Sequence, residues 1–232
     1  MLQDEKLEKR AQEINDYFIK LEELKIQLEK STEEIKTKGG MVTFEAISAH
    51  ENIQQQLNYY ENSSLEIVGL EKLETETSLP VQPLSTASNA EVTRPTVYYD
   101  NDFAAYVASS GWKWNITNND TVNSGYDVFS IYTDTKVTVL ECHVNTWDMN
   151  GNKASQATLN VSRQLIPVNY GYTIEFYDYS NGKSYSTHRG SSWMFFKFTN
   201  GTPSGKTLNF AGVYGHTYSG ASLTGIDFGA SG

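Results

Sequence analysis

The chain has 232 residues with 18 basic and 28 acidic side chains, a formal net charge of −10, and one cysteine. Without a Lys/Arg cluster to neutralise phosphates, this balance excludes nucleic-acid binding as a role. A single thiol excludes an internal disulfide and a cysteine-based metal site, and no apolar run approaches the roughly 20 residues of a membrane-spanning helix.

The two ends of the chain differ in composition. Residues 1–76 carry 17 acidic and 9 basic side chains, whereas 24 of the 29 aromatic residues and 14 of the 17 glycines lie beyond Pro95. The contrast predicts α+β structure by segment: a helical arm over residues 1–61, a tether over 62–95, an all-β antiparallel domain over 96–220, and a loose Gly/Ser-rich tail over 221–232. The opening MLQDEKLEKR is charged and amphipathic and does not read as a signal peptide.

In the arm, Leu7, Ile14, Leu21, Leu28 and Ile35 recur every seven residues, with Ala11 and Phe18 at the alternate positions before these turn polar at Lys25 and Thr32. This spacing suits either a coiled-coil seam joining copies of the chain or one face of a helical hairpin. Gly39-Gly40 is a helix stop. Thr43 is a plausible N-cap for a second helix to about Tyr60, with Phe44, Ile47, Ile53 and Leu57 as its apolar stripe. Residues 62–95 read as a flexible tether, since ETETSLPVQPLSTASNAEVTRP is rich in Pro, Ser and Thr and has no periodicity.

Beyond Pro95, short apolar-alternating segments predict strands near 112–117, 127–133, 136–147, 157–166, 171–179, 184–189, 192–199 and 207–214. Residues 97–110 suit a short helix or an edge strand. The strongest β segment is VTVLECHVNTW, whose alternation changes phase at Leu140: Val137 and Val139 lie on one face, Leu140, Cys142 and Val144 on the other. That shift means a β-bulge or a strand buried on both faces. Pro167 should end the fourth strand. Hairpins without intervening helices predict an antiparallel sandwich, jelly-roll-like in type.

Asn181-Gly182 is the strongest short turn signal. A two-residue turn there would set Glu175 opposite His188, Tyr177 opposite Ser186 and Tyr179 opposite Ser184, on an outer face shared with Thr173. Tyr172, Ile174 and Phe176 would face the core. Tyr177 and Tyr179 would then form a stacking platform beside Glu175 and His188, with Trp112 and Trp114 as a second candidate surface, because Tyr and Trp combine large contact area with one hydrogen-bonding group. Ordinary cross-strand pairing explains the same pattern.

Catalytic templates are missing from the sequence: no G-x-S-x-G elbow, Walker loop or H-E-x-x-H is present. Cys142 and His143 are adjacent in a strand and point to opposite faces, so they make no nucleophile–base pair. Asp148-Met-Asn150-Gly-Asn152 has the spacing of a calcium loop, but Lys153 and Leu159 stand where an EF-hand needs Gly and Glu. The sequence therefore implies no metal and no cofactor.

The expectation is a non-enzymatic module, secreted, on the cell surface or on a virion, that contacts a cell-surface glycan or protein and can form a homo-oligomer through its arm. Arm, tether and head together resemble the layout of exported Gram-positive proteins with a pro-segment, and equally that of phage fibres. The alternatives are a membrane-active toxin, with VFSIYTDTKVTV rearranging into a barrel hairpin, and a hydrolase whose site is assembled from loops.

Overall fold

The computed structural model describes residues 3–74, 90–115, 126–154, 163–177, 187–203 and 208–215. The chain divides into two compact units, Met1–Lys72 and Leu73–Gly232.

The first unit is helical. Helix α1 (Gln3–Lys38) ends in a 3₁₀ turn at Gly39–Met41, with Gly39 at φ +51°, where a glycine avoids the Cβ clash of a left-handed residue. Helix α2 (Phe44–Asn62) starts at Thr43, whose hydroxyl accepts from Ala46 N at 3.3 Å. Tyr17 stacks on Tyr60 at 6.0 Å and donates to the Tyr60 carbonyl at 2.7 Å, while Ser31 meets His50 Nδ1 at 2.9 Å. These contacts make α1 and α2 an antiparallel hairpin.

A short helix α3 (Ser64–Val68) follows, closed by Gly69 in the left-handed region, and leads to the extended segment β1 (Leu70–Lys72). Buried Arg10 donates to the Val68 carbonyl at 2.7 Å, placing a cation on the orphan carbonyls of the α3 C-terminus. The stretch expected to be a tether therefore contributes α3 and β1, and its residues 75–89 lie outside the described ones.

The second unit contains two antiparallel sheets. The first has the order β3 (Thr96–Asp100), β4 (Ala105–Trp114), β9 (Arg189–Phe198), β6 (Val137–Trp147), with β2 (Ala90–Val92) also paired to β4. The second has the order β10 (Phe210–Gly215), β5 (Tyr126–Thr133), β8 (Gly171–Tyr177), β7 (Arg163–Val168). Residues 97–110, ambiguous between helix and edge strand, form most of the β3–β4 hairpin. The Asp100 carboxylate anchors its turn by accepting from Asp102 N and Phe103 N.

One core collects side chains from both sheets, among them Trp112, Phe129, Ile131, Tyr172, Phe176, Met194, Phe196 and Tyr214. The phase change in β6 is a bulge: its register with β9 shifts between Val139 and Glu141. The extra residue rotates the strand, so Val137 and Val139 before it and Cys142 and Val144 after it all face this core.

Three expectations need correction. Pro167 lies inside β7 and does not end it. As β7 is at the sheet edge, a missing N–H costs no ladder bond. The expected pairing of Glu175 with His188 is not formed: β8 pairs with β5 on one side and β7 on the other, so Glu175 lies opposite Val128 and Arg163, and His188 adjoins β9 in the other sheet, while Tyr179, Asn181-Gly182, Ser184 and Ser186 lie outside the described residues. Thr173, expected to face solvent, is buried and hydrogen-bonded to Ser130 at 2.8 Å. The segment VFSIYTDTKVTV spans β5 and β6, which lie in different sheets, β5 pairing with β8 and β10 and β6 with β9.

Candidate functional site

Trp112, proposed as a surface residue, is instead buried at the centre of the core. Its ring stacks on Phe176 at 5.2 Å and meets Phe129 and Tyr214 at 4.8 and 5.2 Å, and its Nε1 donates to the Thr187 carbonyl at 3.1 Å. Trp114 is half-buried and donates from Nε1 to the Tyr214 hydroxyl at 3.2 Å, which in turn donates to the buried Asp127 carboxylate. Half-buried His188 has a carbonyl that accepts from Trp114 N at 2.9 Å, and it does not meet Glu175. Tyr177 pairs through its backbone with Tyr126, and Tyr179 lies outside the described residues. Among the described residues, Trp112 is in the core and Glu175 and His188 are apart, belonging to different sheets.

The side chains around Cys142 are structural. The thiol is buried and its pKa is pushed up to about 12, by burial first and by the Glu141 carboxylate second. It therefore stays protonated at neutral pH and is a poor nucleophile. In the folded protein, alkylation of Cys142 at pH 8 should be slower than in urea-unfolded chain by at least about tenfold. Mass-spectrometric labelling checks this, and equal rates would show an open thiol. His143 stacks on Trp193 at 4.8 Å, and its pKa is lowered by burial. Buried Tyr172 has its hydroxyl bonded to Ser192, whose own hydroxyl donates to the His143 carbonyl at 2.7 Å, and burial holds the phenol well above its usual range. The Asp148 loop is an Asx turn: its carboxylate accepts from Asn150 N, Asn152 N and Asn152 Nδ2 at 2.8–3.0 Å. These bonds hold the carboxylate within its own turn.

A site does form where three turns meet at one end of the sheets. The β5–β6 turn supplies Asp134, Thr135 and Lys136, the β7–β8 turn supplies Tyr170, and the segment after β9 supplies Asn200–Pro203. Together they line an open groove of about 400 Å³. Backbone bonds hold these turns together: Thr133 N to Tyr170 O and Val137 N to Asn169 O, both 2.8 Å, and Thr199 N to Lys136 O at 3.0 Å. Gly201 sits at φ +80°, which lets the third turn close.

The groove side chains are held as well. The Asp134 carboxylate accepts from Asn209 Nδ2 at 2.7 Å and from the Thr135 hydroxyl at 3.2 Å. Thr202 meets the Tyr106 hydroxyl at 2.9 Å. A carboxylate offers about four lone-pair sites, so Asp134 keeps acceptor capacity toward the groove. Tyr170 is 42% exposed and presents a ring. The groove thus combines one fixed carboxylate, one ammonium, amide and hydroxyl groups, and an aromatic face. Asp134 is the one carboxylate among its lining residues, so they supply no acid–base pair of the kind glycoside hydrolysis uses.

Sequence reasoning singled out none of the residues that line this groove. Their meeting depends on five strands, β5, β7 and β8 of one sheet and β6 and β9 of the other, placing these turns together.

Fold and site together describe a protein with a helical hairpin and two antiparallel β-sheets that carry a polar, aromatic-bearing groove on their turns. No protein-family model, curated protein or solved structure matches the chain.

Proposed function

We propose that this chain is a binding module of the cell exterior or of a virion surface, whose groove at Tyr170 and Asp134 holds a cell-surface glycan. The β domain is read here as a sandwich of jelly-roll type. In support, β4, β5 and β6 alternate between the sheets, β8 and β9 cross between them again, and the pairs β4–β9 and β5–β8 lie in opposite sheets. Turns at one end of such a scaffold are a common place for recognition, because the sheets fix their positions.

The observation that carries the reading is an exposed aromatic ring beside a hydrogen-bonded carboxylate in an open polar groove. Sugars present apolar C–H faces and adjacent hydroxyls. A tyrosine ring covers the first, and a carboxylate, amide or hydroxyl pairs with the second. Pre-fixed side chains reduce the entropy lost on binding.

The test is a screen of the full chain against an array of bacterial and host surface polysaccharides, followed by titration of each hit. Tyr170→Ala and Asp134→Ala should each weaken binding about tenfold or more. Both sites are exposed, so the melting temperature should stay within a few degrees. Hits that bind both variants as tightly as the parent would place recognition elsewhere on the molecule.

A further inference from the structure

The groove continues onto the outer face of the first sheet. Val137 and Val139 of β6 and Phe196 and Phe198 of β9 pack into the core, so their chain neighbours Lys136, Thr138, Lys197 and Thr199 point the other way. Register holds these four together. Thr138 lies opposite Lys197, the Thr199 amide donates to the Lys136 carbonyl at 3.0 Å, and the hydroxyls of Thr138 and Thr199 meet at 3.3 Å. All four residues are exposed. Lys136 also lines the groove, and Thr199 leads into its Asn200 wall, so patch and groove share an edge.

The two lysines occupy opposite corners of this patch, with the paired hydroxyls between them. Among the described residues neither lysine side chain has an ion pair or a hydrogen bond. The acidic groups nearest in the chain are engaged elsewhere. Asp134 accepts from the Asn209 amide and the Thr135 hydroxyl, and Glu141, beyond the bulge, lies 4.0 Å from His143 Nε2. Like charges on neighbouring strands repel, and an anion held between them removes that cost. The flexible four-carbon stems let both ammonium groups turn toward one such anion.

We propose that the glycan held by the groove carries an acidic group, a carboxylate or a phosphate, which Lys136 and Lys197 bind beside the Thr138 and Thr199 hydroxyls. This rests on the glycan reading of the groove and adds a charge class to it. Tyr170 covers a sugar face while Asp134 accepts from sugar hydroxyls. The Asp134 charge repels the acidic group and so directs it to the lysine edge. There each ammonium offers three donors, and a threonine hydroxyl can donate to a remaining oxygen. Two lysines are too few for a nucleic acid, whose binders neutralise about six to ten phosphates.

The full chain is titrated with polygalacturonate, with a poly(glycerol phosphate) teichoic acid and with uncharged dextran. At least one polyanion should bind about tenfold or more tighter than dextran, and lose at least about threefold in affinity between about 50 and 300 mM NaCl. Binding of polygalacturonate alone assigns a carboxylate, and of the teichoic acid alone a phosphate. Lys136→Ala combined with Lys197→Ala should weaken that binding about tenfold or more, and the two arginine replacements should keep it within about threefold. Tyr170→Ala should weaken it as well. Lys153→Ala, at an exposed lysine bridged to the other end of β6, should leave it unchanged. Melting temperatures within a few degrees of the parent confirm that these surface variants fold. Uncharged array hits that bind through Tyr170 more tightly than either polyanion would overturn the inference and leave the glycan reading standing. Polyanion binding that Lys153→Ala weakens as much as the lysine pair does, or that Tyr170→Ala leaves intact, would overturn it as general charge attraction. A chain that binds no polysaccharide at all would remove the glycan reading and this inference with it.

Discussion

Trp112→Ala should destabilise the β domain by about 4–5 kcal/mol and lower its melting temperature by roughly 10–20 °C. Three aromatic rings contact the indole, and removing it leaves a cavity that they line. Each lost ring pair adds about 0.5–1.5 kcal/mol to the burial lost, and the Thr187 carbonyl loses its indole donor. The neighbourhood has little room to collapse, because Gly190 is already packed so closely that a Cβ there would fall within the Trp112 ring. Trp112→Phe keeps a ring but cannot donate to Thr187, so it should cost less, about 1–3 kcal/mol. Urea denaturation followed by near-ultraviolet circular dichroism measures both. A loss below about 1 kcal/mol for the alanine variant would mean that the indole is not the centre of this core.

Leu21→Asp should unfold the helical unit at neutral pH instead of merely separating copies of it. Leu21 is 8% exposed within the single chain, so a carboxylate there is buried without a partner and costs several kcal/mol. Burial would raise the pKa of the new carboxyl. The folded state would therefore bind the proton more tightly than the unfolded chain, and the damage should shrink as pH falls toward the range where that carboxyl protonates. Loss of the 222 nm signal, independent of protein concentration, is the expected result. Dissociation with full helicity would place Leu21 on an intermolecular surface.

Much of the arm could be read from local rules. The Gly39-Gly40 stop and the Thr43 cap act over one helical turn, so the sequence states them directly. The seven-residue spacing was equally legible, yet it left a hairpin and a coiled coil as equals, because a heptad seam does not say which helix fills it. Within the stretch 62–95, α3 and β1 form where Arg10, 58 positions before Val68, supplies a carbonyl partner that no local pattern contains.

In the β domain, alternation identified the core face of β8 and the phase change in β6. Period-2 burial is a property of each strand alone. Pairing was not legible in the same way. Asn181-Gly182 is a strong two-residue turn signal, but a turn signal does not say which strands flank the one it follows, and β8 pairs with β5 and β7, so Glu175 meets Val128 and Arg163 and not His188. The proposed platform of Tyr177, Tyr179, Glu175 and His188 rested on that hairpin, and Trp112 was a large aromatic equally suited to a surface or a core. The sequence by itself determined where helices start and stop and that Tyr172, Ile174 and Phe176 point inward, since each depends on neighbours within a few positions. Only the tertiary structure decided which strands pair and which turns meet at Tyr170 and Asp134, because those outcomes depend on the apolar surface that distant segments bury together.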